Sequence, residues 1–154
     1  MRTVATAIES YQVDNNKYPT MRPPRPVPGD PSLNETLGFE LTTPIAYISS
    51  LEITNDLFKL ERVNLPAGRE KFLYRNNDFL LQGAIESNNT ALADALGDNI
   101  SREGLWRLSS AGPDRFSFFD PANGPPQDFN SFAIINYDSS NGTISTGDIF
   151  RSQS

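Results

Sequence analysis

Residues 19 to 31 read PTMRPPRPVPGDP, a run with six prolines. Proline fixes φ and donates no backbone hydrogen bond, so this stretch can form neither a helix interior nor a central strand. It reads as an extended, polyproline-like surface connection, with a docking segment for a partner as the alternative. The run divides the chain. Whatever stands before it must fold as a separate element, and everything else must be built from the residues that follow.

The element before it is helical. Val4, Ala7, Ile8 and Tyr11 recur at spacings of three and four, which puts them on one face of a helix. Thr3, Thr6, Glu9, Ser10 and Gln12 fill the opposite face. So narrow an apolar stripe packs on one partner surface only. Asp14, Asn15 and Asn16 compete for backbone hydrogen bonds, and Tyr18-Pro19 ends the helix. Isolated helices need roughly 12–15 residues to persist even in good sequences, so this one is docked, or is the tail of a longer helix. Met1 and Arg2 are poor N-caps.

Beyond the prolines, LTTPIAYISSL (residues 41 to 51) predicts a short core-facing helix. Thr43 is its N-cap, Pro44 its first residue, and Ile45, Ile48 and Leu51 share a face. KFLYRNNDFLLQGAI (residues 71 to 85) predicts a β-hairpin turning at Asn76, Asn77 and Asp78. A second short helix is expected near residues 89–97, capped by Asn89 or Thr90 and closed by Gly97. GLWRLSS, FAIINYD and TISTGDIFR then read as strands, with DSSNG as the turn between the last two. A helix followed by strands, with one inserted helix, is an α+β order: a helix laid on one face of an antiparallel sheet.

Composition limits the chemistry. A length of 154 residues, 37% of them hydrophobic and 21% charged, suits one globular domain with a real core. The net charge of −6 disfavours nucleic acid and anionic lipid as partners. Cysteine and histidine are both absent, which excludes thiol catalysis, Cys/His zinc sites and histidine proton transfer. No run of about 18 apolar residues is present to span a bilayer.

What remains is oxygen chemistry. Asp114, Asp138, Asn141 and Asp148 are oxygen donors in turns near the end of the chain and are the candidate ligands for calcium, the one cofactor to consider. Their spacing is not that of an EF-hand, and local Asx-turns are the alternative reading of each. Asp114, Asp120, Asp128 and Asp148 offer carboxylates for an acid–base pair, but among nineteen acidic residues chance pairs are expected. Trp106 with Tyr137 and Tyr47 offers a sugar-stacking platform, or simply core. Four N-x-S/T sequons, at Asn34, Asn88, Asn99 and Asn141, would mark surface loops in a eukaryotic secreted protein and carry no expectation in a bacterial one.

Four stretches, in order, carry a resemblance: ATAIESYQVDNNKYPT, LTTPIAYISSL, LWRLSSAGPDR and YDSSNGTISTGDIFR. Together they resemble the type IV pilin-like family, and within it the major pseudopilins of bacterial type II secretion systems. The chain departs from that family in three places. The aspartate–proline step after the short helix is missing, where the chain reads TNDLFK (residues 54 to 59); residues 83–104 and 116–130 look like insertions; and the family's acidic calcium loop corresponds to Asp138 to Asp148, with only those two carboxylates.

The resemblance implies a pilin-like α+β head domain spanning residues 1–154. Residues 1–16 would be the end of the N-terminal helix, 17–70 an αβ-loop containing a short helix, and 71–154 the sheet region with a helical insertion near 89–97. Val4, Ala7, Ile8 and Tyr11 would pack the helix on the antiparallel sheet. It implies a non-catalytic filament subunit, with a leader and about 25 apolar residues ahead of Met1, long enough to cross a bilayer. Its partners would be copies of itself, other pseudopilins and the inner-membrane assembly machinery. Its only contact with membrane would be through that apolar helix, and its head would lie in the periplasm or outside the cell. Calcium is the only cofactor the resemblance suggests. The competing readings are a secreted carbohydrate- or protein-binding module and a carboxylate-dependent hydrolase.

Overall fold

The structure is a computed structural model that describes residues 1–22, 36–37, 39–60, 71–113, 140 and 149–153. Among these, helices combine with antiparallel sheet in an α+β arrangement. The first helix, α1 (Arg2–Asn15), ends where Asn16 takes a left-handed conformation (φ 57°) and its N–H returns to the Gln12 carbonyl. Asparagine tolerates that conformation at helix C-termini better than most residues. The proline run lies outside the described residues after Arg22; just before it, β1 (Met21–Arg22) pairs antiparallel with β2 (Thr36–Leu37).

The helix expected at Thr43–Leu51 does not form. The Thr42 and Thr43 N–H groups turn back to the Phe39 carbonyl at 2.8 and 3.1 Å, and those of Tyr47 and Ile48 turn back to the Leu41 carbonyl at 2.8 and 3.1 Å. The Thr43 hydroxyl also bonds the Phe39 carbonyl rather than capping a helix. The segment is therefore a loop wound round the fully buried Leu41; Ile48 is buried with it and Ile45 is exposed. A 3₁₀ turn follows at Leu51–Thr54, capped by Ser50, and then a single helical turn, α2 (Leu57–Leu60).

The main sheet is formed by β3 (Leu73–Asn76), β4 (Trp106–Ser110) and β5 (Ile149–Ser152), with β4 in the centre and both pairings antiparallel. The hairpin expected at residues 71–85 is half right. Its first arm is β3, but the chain then enters α3 (Asn77–Glu86). The asparagines chosen as turn residues start a helix: the Asn76 side chain accepts from the Phe79 N–H at 2.9 Å, and the Asn77 N–H bonds the Leu105 carbonyl at 2.8 Å. That is an N-cap, the other use of asparagine's short polar side chain.

The second inserted helix, α4 (Thr90–Glu103), starts at the expected Asn89 cap but runs through Gly97 instead of stopping there. It stops at Gly104, whose φ of 78° and ψ of −173° fall in a region essentially reserved for glycine. A Cβ at Gly104 would also lie 2.7 Å from the Gln153 carbonyl oxygen, so the close approach of chain after β5 requires glycine for a second reason. Thus α3 and α4 form a helical hairpin inserted between two neighbouring antiparallel strands.

One core cluster joins Val4, Ala5, Ala7, Ile8 and Tyr11 of α1 to Tyr74 of β3 and to Trp106 and Leu108 of β4, with Tyr18, Leu37, Leu41, Ile48 and Phe72 around them. All five residues of β4 are buried, so both of its faces are covered. The strand expected at FAIINYD, and most of the one at TISTGDIFR, lie outside the described residues; β5 is the end of the latter.

Candidate functional site

The register assigns the side chains of β3 and β4 to two faces. Tyr74 is opposite Leu108 and Asn76 is opposite Trp106, so these four share one face, the one in the cluster with α1. Arg75 is opposite Arg107 and Leu73 is opposite Ser109, so these share the other.

On the first face, α1 is fastened to the sheet by more than its stripe. The Trp106 Nε1–H donates to Glu9 Oε1 at 2.7 Å, and the Tyr18 hydroxyl donates to Glu9 Oε2 at 3.4 Å. Gln153, just past β5, donates from Nε2 to the Tyr18 hydroxyl at 2.7 Å and accepts from the Leu105 N–H at 3.1 Å. The chain leaves α1 through Tyr18-Pro19, and the Pro19 carbonyl accepts from both the Tyr74 hydroxyl and the Asn76 amide, each at 3.0 Å. Burial pushes the Tyr74 phenol far above its ordinary pKa, and Glu40 adds to the rise; burial raises Tyr18 too, with Glu9 contributing. Both phenols are thereby held in the neutral form that can donate.

A second knot lies at the far end of β4. Asp56 is fully buried. Its Oδ1 accepts from the Ser110 hydroxyl at 2.8 Å and from the Phe58 N–H at 3.2 Å, and its Oδ2 accepts from the Ala111 N–H at 2.8 Å. A buried carboxylate is tolerable only with its oxygens so engaged. The residue ties the loop before α2 to the strand-to-loop corner Ser110-Ala111-Gly112.

On the opposite face Arg107, 3% exposed, pairs with the buried Glu103 of α4 at 2.7 Å. Arg75, 6% exposed, sits across the strand pair from it. Asn77 donates from Nδ2 to the Gly104 carbonyl at 2.9 Å, which closes the base of the helical hairpin.

These contacts locate the residues singled out in the sequence. Val4, Ala7, Ile8 and Tyr11 are all buried in the cluster with the sheet. Asp114, Asp138, Asn141 and Asp148, the calcium candidates, lie outside the described residues, as do Asp120, Asp128 and Tyr137. Of the two readings offered for Trp106, core is the one found: it is 2% exposed with its indole N–H on Glu9, so no sugar can lie on it. Tyr47 is edge-on to Tyr11 at 5.5 Å, and its hydroxyl donates to Asp14 at 2.9 Å. Asp56, Glu9 and Gln153 were missed. The signal for Asp56 was present in TNDLFK, an acidic side chain just before a short apolar run, as an N-cap should be; nothing local marks Glu9 or Gln153, whose partners are distant in sequence.

Comparison of the chain with family models, with curated proteins and with solved structures gives no match.

The described site is a set of anchors. Glu9 and Asp56 each have both oxygens occupied by donors from elsewhere in the fold, while Glu103 pairs through Oε2 with Arg107, four residues further along the chain.

Proposed function

We propose that this chain is the globular head of a pilin-like filament subunit, closest to the major pseudopilins of type II secretion systems. In this reading an apolar segment continuous with α1 anchors the protein in the inner membrane and then packs with its copies at the filament centre, while the head domains form the outer wall in the periplasm or beyond. The work is mechanical: subunits are added and the filament pushes cargo outward, with no covalent chemistry by this chain.

The observation that carries the reading is the seating of α1. Its apolar stripe shares a core with the sheet, and its exit through Tyr18-Pro19 is bonded to β3 by Tyr74 and Asn76. A helix that must pass force to a head domain needs such a double fastening. Further support comes from Asp56, the aspartate of the stretch that lacks the family's proline, which reaches the Ser110-Ala111 corner of LWRLSSAGPDR.

The gene provides the test. The reading requires a coding sequence upstream of Met1 with roughly 20 apolar residues running into α1, and the full-length product in the inner-membrane fraction, chemically crosslinking into ladders of its own copies. A start codon at Met1 with no apolar stretch ahead of it overturns the proposal.

A further inference from the structure

We infer that Asn88 is an N-glycosylation acceptor, the one site among the described sequons built to receive a glycan from a lipid-pyrophosphate-linked oligosaccharide. The sequence ESNNT (residues 86 to 90) places the acceptor amide at Asn88, the required hydroxyl at Thr90, and a carboxylate at Glu86 two positions before the acceptor. The other three sequons have Ser32, Gly97 and Ser139 at that earlier position, so only Asn88 offers a transferase a charged group to select on.

The fold separates Asn88 from the other described acceptor. Asn88 lies in the three-residue turn between α3 and α4, in a left-handed conformation with φ 54°, and is exposed together with Glu86, Ser87, Asn89 and Thr90. Its side-chain amide has no hydrogen-bond partner among the described residues. The turn is closed by the Asn88 N–H on the Ile85 carbonyl at 3.0 Å, the Asn89 N–H on the Ala84 carbonyl at 2.9 Å, and the Asn89 side-chain cap on Leu92 at 3.1 Å. Opening these to fit a transferase groove frays one helix end and leaves the core alone. Asn99 is the opposite case. It sits inside α4, 2% exposed, with its Oδ1 accepting from the Arg102 guanidinium at 2.6 Å, so the enzyme would have to unwind the helix to reach it.

In the transfer, a C–N bond forms between Asn88 Nδ2 and the first sugar carbon. The bond from that carbon to the pyrophosphate oxygen breaks, the lipid pyrophosphate leaves, and one amide proton is lost. A glycan here would stand at the hairpin tip, between the exposed apolar side chains Ile85 and Leu92. In the cell the reaction needs the head domain to lie outside the cytoplasm, and to that extent it rests on the function proposed above; the experiment below does not.

The folded full chain is incubated with a purified single-subunit oligosaccharyltransferase that requires an acidic residue two positions before the acceptor, together with its lipid-linked oligosaccharide, and read by intact mass. The tryptic peptide 76–102, which holds both Asn88 and Asn99, serves as the unfolded control. We expect one glycan mass on the wild type and on Asn99→Gln, none on Asn88→Gln, and a rate about tenfold lower for Glu86→Gln, as the loss of one charge-assisted contact gives. A peptide that is modified while the folded chain is not, a peptide that is itself refused, or a mass gain that survives Asn88→Gln overturns the assignment.

Discussion

The two faces of β4 solve the same problem with different chemistry. Toward α1, Trp106 and Leu108 meet an apolar helix stripe, and the indole N–H is met by Glu9. Toward the helical hairpin, Arg107 is buried beside Arg75 and must be matched by Glu103. The first face is stabilised by removing apolar area from water, at roughly 25 cal/mol per Å². The second involves desolvating charges, for which the attraction between partners only offsets the cost. The difference teaches that burial alone does not say how much a contact stabilises, and that the two faces should respond oppositely to apolar substitution.

The strongest way to break the comparison is Ile8→Asp, which puts a lone charge in the middle of the α1 seat where Ile8 is fully buried. The expected loss is about 4 kcal/mol or more, enough to abolish a cooperative melt in a domain of ordinary stability. The sole tryptophan reports it directly: Trp106 emission, blue-shifted in the wild type, should move red at room temperature as the helix leaves the sheet. A variant that melts like the wild type would mean the stripe faces solvent.

On the other face, Glu103→Ala should cost about 3 kcal/mol by urea unfolding, because it removes the carboxylate bonded to a buried guanidinium. The double change Glu103→Met with Arg107→Met should recover most of that loss, since a buried ion pair replaced by apolar side chains is often neutral in stability. Additive losses in the double variant would show that the pair is not coupled and that the two faces do not differ in kind.

How much of this was legible beforehand follows the same division. Periodicity of three and four located α1 and its buried residues, because an amphipathic helix on one surface writes its contacts into local spacing. The central strand was legible as a strand but its burial was not: all five of its residues are buried, because its second face is covered as well. Asn76, Asn77 and Asp78 were equally good as a hairpin turn or a helix start; the choice was made by the distant Leu105 and Gly104 carbonyls, which no window of residues 71–85 contains. Gly97 failed as a stop for a related reason. The end of α4 is set by the close approach of Gln153 at Gly104, a tertiary event. Glu9 and Gln153 joined the site on the same footing, through partners 97 and 135 residues away in the chain.

Between the two faces in cost lies the corner at Asp56. Asp56→Asn keeps the shape but turns one acceptor oxygen into a donor, facing either the Ala111 N–H or the Ser110 hydroxyl with its companion Phe58 N–H. The hydroxyl can rotate and the two backbone N–H groups cannot, so one donor is left facing another and stability should fall by about 2 kcal/mol. The knot lies at the Ser110 end of β4 and bonds none of Glu9, Tyr18 or Trp106, so Trp106 emission of the folded variant should stay as in the wild type. A red shift would show that the loop anchor and the helix seat are a single unit.

The smallest effect, and the one that sharpens the picture of the α1 face most, belongs to Tyr74→Phe. Near neutral pH the variant loses the bond to the Pro19 carbonyl, at about 1 kcal/mol, while the Asn76 amide still satisfies that carbonyl. The buried phenol has a pKa raised well above the usual value of about 10, so the folded state keeps its proton at pH values where the unfolded chain has lost it. Its contribution is therefore complete below about pH 10 and drains away as the pH rises beyond it, by up to about 1.4 kcal/mol per pH unit. Tyr11 and Tyr18 are raised by burial as well and remain in the variant, so Tyr74→Phe should still weaken in alkali, with a slope smaller by about one proton. The two unfolding curves should thus converge above pH 10 and then cross, the variant becoming the more stable protein. Parallel curves from pH 7 to 12 would mean that Tyr74 ionises as freely in the folded protein as in the unfolded chain, and that the seat of α1 is wet where its geometry says it is dry.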